Sequence, residues 1–385
     1  MAAEADRAVG VLGGGQLGRM LALEARRMGF KVLMWTGGDN SGAAALADMA
    51  ITDPFDSQEA FDTFIGHSGV ATVEFENIPA NLMEQVAEHI PLMPSRDAVA
   101  TCQHREREKR FLADNGIPCA KFFVVDSEAS LLQAFGDLGG AGILKTAEFG
   151  YDGKGQAAIP AGLDPAGLAQ IWSGFDGHRA VLEEKVDLDA EISVIVVRGQ
   201  GGEIATFDPA ENQHRNHILD LSIVPARLPD SVLGEAREIA IRVAEALGYI
   251  GVLGVEFFVS KSGRLLVNEM APRPHNSGHH TLDACETSQF EQQLRAICGL
   301  PLGSTRLVRP AVMWNLLGDL WPGPEQAPDW APILETPGAK LHLYGKSPAK
   351  PGRKMGHATF TAETAAEAID RARACRAKFG VEGGF

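Results

Sequence analysis

No run of apolar residues in this 385-residue chain approaches the length of about 20 needed to cross a bilayer, which excludes a protein anchored by membrane-spanning helices. Cysteine is scarce. Cys102, Cys119, Cys285, Cys298 and Cys375 are odd in number, widely spaced and without a CxxC pair, so the expectation is reduced thiols in a cytoplasmic protein. The first eight residues are polar and contain no apolar signal core, consistent with that location. Positive charge is in deficit, with 35 Lys and Arg against 50 Asp and Glu, a formal net charge of −15 at pH 7. A nucleic-acid surface is therefore disfavoured as the main function, and anions must be held by local basic or N–H-rich pockets. Internal repeats and low-complexity tracts are also missing, and the glycine-rich stretch at 148–156 contains no GK[ST] and so is not a Walker A loop. What remains is ordinary globular composition, 45% hydrophobic and 22% charged, enough for two or three domains.

Strand and helix patterns alternate from the start. Apolar strands are expected at 8–12, 30–35 and 71–75, with a helix at 16–28 and another opening at Pro79, which describes βαβ units on a parallel sheet. Pro91 and Pro94 close this region, and a charged helix pair at 96–115 follows. Strands are then expected at 121–125, 142–146, 180–185, 191–197 and 203–207, with helices at 127–135 and 165–172. A long amphipathic helix at 230–247, capped by Asp230 and stopped by Gly248, leads to strands 251–259 and 264–270 joined by Lys261-Ser262-Gly263. A smaller Pro-rich region begins after Pro301 and ends in a helix at 363–379. The expected fold is mixed α/β and α+β, in three units.

Four motifs carry chemistry. Gly13-Gly14-Gly15-Gln16-Leu17-Gly18 satisfies GxGxxG between a strand and a helix, where backbone N–H groups can meet a phosphate. A dinucleotide site would want an acidic residue closing the second strand, but Trp35-Thr36 stands there, with Asp39 only after two more glycines. A monophosphate site or a plain tight turn remains. Second, Lys145 ends an apolar strand ahead of Gly150-Tyr151-Asp152-Gly153-Lys154-Gly155-Gln156, a glycine-rich loop able to close over phosphate oxygens, or else a hairpin. Third, Glu256 and Glu269 lie on adjoining apolar strands with Asn268 beside them. That oxygen set suits Mg²⁺ bridging phosphates, although alternating strands also turn acids to solvent. Fourth, 272–281 reads PRPHNSGHHT. His275 and His279 are four apart, as in some zinc sites, but the prolines and Gly278 forbid the helix such a motif needs. Arg273 with neutral donors suits a phosphate or carboxylate better, and a buried structural histidine stays open for each.

The order GGGQLGRM, EFGYDGKGQ, EEKVDLDAE, PAENQHRNHIL, GVLGVEFF, VNEMAPRPHNSGHHT and PGRKMGH resembles the 5-(carboxyamino)imidazole ribonucleotide synthase family of ATP-grasp ligases, from about Gly10 to about His357. The resemblance implies an ATP-grasp domain at 102–305 with a lid subdomain at about 118–186. Before it would lie a Rossmann-like pre-ATP-grasp domain at 1–101, and after it a small domain at 306–385. It implies ATP held by Arg105, Lys145, the Gly150–Gln156 loop, Glu183, Glu184, Lys185, Val186, Glu191, His214, Asn268 and Glu269, with Mg²⁺ on Glu256 and Glu269. Aminoimidazole ribonucleotide would meet Gly15, Gln16, Leu17, Glu74 or Glu76, His275, Asn276, Ser277, Gly278, Lys346, Arg353 and Lys354. Tyr151, Asp152, Lys154, Arg273 and Lys354 would serve the chemistry with bicarbonate, in a homodimer. The sequence departs from the family pattern at His104 (usually Asp), His217 (usually Gly), Lys350 (usually Arg) and the second strand's non-acidic end. Competing readings are a formate-using glycinamide ribonucleotide transformylase, a biotin-carboxylase-like enzyme, an NAD-dependent oxidoreductase and a catalytically dead nucleotide-binding module.

Overall fold

The computed structural model describes residues 7–38, 42–75, 77–148 and 155–384. Its first sheet has four parallel strands. Met49–Ile51, Val32–Trp35, Ala8–Leu12 and Ser68–Val73 lie side by side in that order. All five residues of Ala8–Leu12 are buried, as a central strand covered on both faces requires. The chain steps outward on one side of this strand, then crosses to Ser68–Val73 on the other. The carboxyl ends of these two strands therefore flank a crevice, the usual ligand position in open α/β sheets. Helix Gln16–Arg27 opens there, turning Leu17, Met20, Leu21 and Ala25 inward at helical spacing.

A second sheet is antiparallel, ordered Phe122–Val125, Ala180–Glu184, Gly142–Thr146 and Gln156–Ile159. Helices Glu128–Leu138 and Pro165–Ser173 cover one face, packing Leu131 and Leu168 against Leu144 and Leu182. The third sheet holds nine strands. From one edge run Leu265–Ala271, Gly251–Ser260, Leu188–Arg198, Ala210–Arg215, Ile218–Val224, Ala311–Leu317, Lys354–Thr361 and Ala339–Leu343, with Ile204–Thr206 also against Leu188–Arg198. The last region of the chain is thus not a sheet of its own, because Ala311–Leu317 pairs antiparallel with Ile218–Val224. Helix Asp230–Ala246 covers the large sheet through Ala236, Ile239, Ala240 and Val243. Pro229 rather than Asp230 holds its N-cap position, and no side chain caps it.

Two departures from the family pattern find local explanations. Helices Arg96–Gln103 and Arg105–Asp114 break at His104, whose backbone is extended and whose Nδ1 accepts from the Arg107 N–H at 3.4 Å. An Asp there would do the same work, since both side chains offer an acceptor at an N-cap. His217 sits at φ 66° after Asn216 at φ 51°, in the two-residue turn between Ala210–Arg215 and Ile218–Val224. A turn with two positive φ angles favours glycine, so His217 carries roughly 1 kcal/mol of strain that glycine would not. Trp35 is fully buried, and its indole N–H donates to the Asp53 carbonyl at 2.9 Å. The end of the second strand is therefore core rather than a ribose contact.

Candidate active site

A cavity of about 680 Å³ lies between the second sheet and the large sheet. Its second-sheet side carries Ile143 and Lys145, and its floor carries Glu256, Phe258, Asn268 and Glu269. Glu183, Glu184, Lys185 and Val186 line it with Arg105, Gly155, Gln156, Glu191 and His214. Arg273, His275, Asn276 and Lys354 complete the wall from the opposite side.

One buried carboxylate organises the cations. Glu183 Oε2 accepts from Lys145 Nζ at 3.0 Å and lies 3.5 Å from Lys109 Nζ, while Oε1 is 4.0 Å from the Arg105 guanidinium. Burial would push this carboxyl up, but Lys109, Lys145 and Arg105 outweigh it and hold it down at about 2. Lys145 is shifted the other way. Burial, with Arg105 and Lys109 nearby, lowers its ammonium from the usual lysine range, against the pull of Glu183.

On the floor, Glu256 and Glu269 sit directly opposite each other on neighbouring antiparallel strands. Glu256 pairs with Glu269 and Phe257 with Val267, so Asn268 is an extra residue. This bulge explains how the consecutive residues Asn268 and Glu269 both line the cavity, where a regular strand would turn one of them away. Glu256 Oε1 lies 3.0 Å from His275 Nε2, and that contact holds its carboxyl down against burial. Glu269 is pushed up by burial and by Glu256, with Arg105 at 3.9 Å opposing. Glu191, 3.3 Å from His214, is likewise raised by burial. Among the described residues, Asn268 Oδ1 is buried with no hydrogen-bond partner. Two facing carboxylates and an orphaned amide oxygen form an all-oxygen donor set that fits a hard divalent cation.

Among the described residues, the histidine loop does not bring His275 and His279 together as ligands of one metal. His275 faces Glu256, whereas His279 is fully buried against Phe290 and His357, where burial pushes it well below the usual histidine range. Among the described residues, Asp283, His342 and His357 do bring possible ligand atoms within 4.8 Å. However, the rings of His342 and His357 stack at 4.4 Å and 9°, so their in-plane lone pairs run side by side rather than converging. Ser277 and Gly278 lie behind the cavity wall. Ser277 Oγ accepts from Ser193 Oγ at 2.7 Å and meets His275 Nδ1 at 2.8 Å. A Cβ at Gly278 would come 2.6 Å from the Gln289 amide oxygen.

A second cluster forms at the glycine turn. The Glu74 carboxylate accepts from the N–H groups of Gly15 at 2.7 Å and Gly18 at 3.1 Å. Gly13 holds φ +116°, and a Cβ there would lie 2.5 Å from Glu74 Cγ, so this turn needs glycine. Glu74 thus engages two of the N–H donors that the sequence suggested for phosphate. Lys346 bonds Gln16, closing the group from the far end of the chain. Leu17 is buried in the same first turn, while Arg353 donates to the Ser347 and Pro348 carbonyls at 3.3 and 2.9 Å. Glu76, Gly150, Tyr151, Asp152, Gly153 and Lys154 lie outside the described residues.

Sequence reasoning passed over Glu108 and Lys109, which are almost completely buried beside this cavity. Helical spacing could have found them, since 105, 108, 109 and 112 share one face and Leu112 is core.

Three family models match in chain order. They are the ribonucleotide synthetase preATP-grasp domain over residues 7–103, the ATP-grasp domain over 110–290, and the phosphoribosylaminoimidazole carboxylase C-terminal domain over 311–371. Similar curated proteins include the N5-carboxyaminoimidazole ribonucleotide synthase of Bacillus subtilis (strain 168), 44% identical over 352 residues, covering 91% of this chain and 90% of that one. The enzyme of the same name from Brucella melitensis biotype 1 is 44% identical over 351 residues, covering 91% and 95%. Among solved structures, the synthetase from Thermus thermophilus superposes with a TM-score of 0.89 at 36% identity, covering 98% of this chain and 99% of the other. The Aspergillus clavatus synthase in complex with ADP and 5-aminoimidazole ribonucleotide gives 0.87 at 32%, also covering 98% and 99%.

Proposed function

The chain belongs to the N5-carboxyaminoimidazole ribonucleotide synthase family of ATP-grasp ligases, and from that premise we propose how its own residues carry the reaction. It is an ATP-dependent ligase of purine biosynthesis. The enzyme carboxylates the exocyclic amine of 5-aminoimidazole ribonucleotide with bicarbonate, releasing ADP and phosphate. A formate-using ligase is not favoured by the similar proteins.

The observation that carries the proposal is one cavity with cations on its second-sheet side and facing carboxylates on its floor. ATP would lie between the two sheets, its base along Glu183 to Val186 and its ribose near Glu191 and His214. Lys145 and Arg105, spaced by Glu183, would receive the phosphates as point charges already in place. Glu256, Glu269 and Asn268 would hold Mg²⁺, which when bound neutralises charge on the polyphosphate. Gly150 to Gln156 would cover the phosphates and exclude water, with Tyr151, Asp152 and Lys154 near the reacting bicarbonate.

Bicarbonate is a poor electrophile and needs activation. A bicarbonate oxygen attacks the γ-phosphorus and the bond to ADP breaks, giving carboxyphosphate. Its C–O bond then breaks, releasing CO₂ and phosphate, and the amine nitrogen bonds the CO₂ carbon as it loses one proton. Arg273 and Lys354, on the wall opposite the lid, would steady the anions between these steps. The ribonucleotide would reach from His275 and Asn276 toward Gln16, Glu74, Lys346 and Arg353. Cytoplasmic residence agrees with five free cysteines, and a homodimer follows from the family resemblance.

The test is ADP release by purified protein with MgATP. Release should require 5-aminoimidazole ribonucleotide and bicarbonate together. Equal release with formate and glycinamide ribonucleotide would overturn the assignment.

A further inference from the structure

The bulge that presents Asn268 and Glu269 leaves backbone groups without strand partners on the outer edge of the large sheet. Leu265–Ala271 is an edge strand, and among the described residues its outer side meets only the isolated bridge of Val267 with Cys119, so no neighbouring strand satisfies Asn268 and Met270. Helix Arg105–Asp114 does so with two consecutive side chains. Lys109 Nζ donates to the Asn268 carbonyl at 2.7 Å, and Glu108 Oε1 accepts from the Met270 N–H at 2.6 Å. These two contacts grip the backbone immediately before and after Glu269. Lys109 is 0% exposed and Glu108 2%, a placement that charged residues adopt only when paired. Lys109 also lies 3.5 Å from Glu183 Oε2, tying the bulge to strand Ala180–Glu184. From the same helix, Arg105 approaches the side chain of Glu269 at 3.9 Å.

We propose that Glu108 and Lys109 are positioning residues that hold the Asn268–Glu269 bulge in the conformation that binds the divalent cation. The inference rests on the proposal that Glu269 is a metal ligand. A bulge with its backbone ungripped can relax toward regular pairing, which would turn Asn268 or Glu269 out of the cavity. Glu108 acts by accepting one hydrogen bond, so an amide oxygen at the same reach can replace it. Neither side chain is required to touch a substrate.

The test measures the apparent KM for Mg²⁺ at fixed ATP, and the KM for 5-aminoimidazole ribonucleotide, across five variants. Glu108→Met and Lys109→Met should raise the Mg²⁺ value tenfold or more and leave the ribonucleotide value within twofold. Glu108→Gln should restore wild-type Mg²⁺ dependence. A merely structural role would lower the midpoint of unfolding and the active fraction without separating the two constants. Unchanged Mg²⁺ dependence in folded Glu108→Met and Lys109→Met would overturn the inference. If the Met variants do not fold, Glu108→Asp, one methylene too short to reach Met270, answers the same question by the same two constants. Glu269→Gln separates the premise from the inference. If it leaves Mg²⁺ dependence unchanged, the metal-ligand proposal fails. If it raises the Mg²⁺ value or abolishes turnover while Glu108→Met leaves the Mg²⁺ value unchanged, only the positioning role fails.

Discussion

Replacing Glu183 with Gln tests whether the three cations of the cavity are held by one ionised carboxylate. The side chain is 2% exposed, so solvent screens its contacts little. Lowering a carboxyl from 4.5 to about 2 corresponds to about 3 kcal/mol of stability at pH 7. A carboxyl whose folded value is depressed adds stability above its unfolded value and loses it as pH falls through the folded value. The lead of wild type over Glu183→Gln should therefore be about 3 kcal/mol at pH 7, smaller by roughly 0.8 kcal/mol at pH 4 and by roughly 2 kcal/mol at pH 3. Urea unfolding of both proteins at these three pH values reads the difference directly. Lys145 loses its partner in the variant, so the KM for ATP should rise as well. A gap that stays constant from pH 7 to pH 3 would refute the ionised hub.

Two further outcomes separate the glycine turn from the outer core. Gly13→Ala forces an L-residue to φ +116° and drives a Cβ into Glu74, so it should cost about 2 kcal/mol and raise the KM for the ribonucleotide more than that for ATP, as steady-state kinetics would show. Arg376→Met removes the two-point pair with Asp220, at 2.9 and 2.7 Å, and leaves that carboxylate buried and unpaired. It should lose about 3–5 kcal/mol in urea unfolding while kcat/KM of the folded enzyme stays within twofold.

Much of the framework was legible because apolar strands announce themselves. The runs around Glu256 and Glu269 are apolar on both sides, so strands were expected within a residue or two of Gly251–Ser260 and Leu265–Ala271. Other elements were hidden by polarity. Ala210–Arg215 reads AENQHR and resembles a loop, yet it pairs on both edges with Leu188–Arg198 and Ile218–Val224. Helix Gln289–Ile297, where no element was expected, buries Gln289, Gln292 and Gln293. Their amides serve backbone groups elsewhere in the chain, at His275, Gly303 and Val252.

The site was legible to the extent that its chemistry needs unusual residues in ordinary places. Carboxylates inside apolar strands and a lysine at a strand end qualify. Glu108 and Lys109 escaped because charged residues on a charged helix look solvated until the edge they cover is known. Glu74 was named only through the family resemblance, not through any contact that its own position suggested. Its carboxylate lies in the glycine turn, 59 residues away from Gly15, and only the parallel pairing of Ala8–Leu12 with Ser68–Val73 brings the two together.

The central claim is that ATP activates bicarbonate on this cavity before carbon reaches the amine. Turnover with ¹⁸O-labelled bicarbonate, followed by mass analysis of the phosphate, tests it most directly. One labelled oxygen per phosphate released is the expected result, since the oxygen that attacks the γ-phosphorus stays with it. Unlabelled phosphate formed at the same rate as the carboxylated product would contradict it.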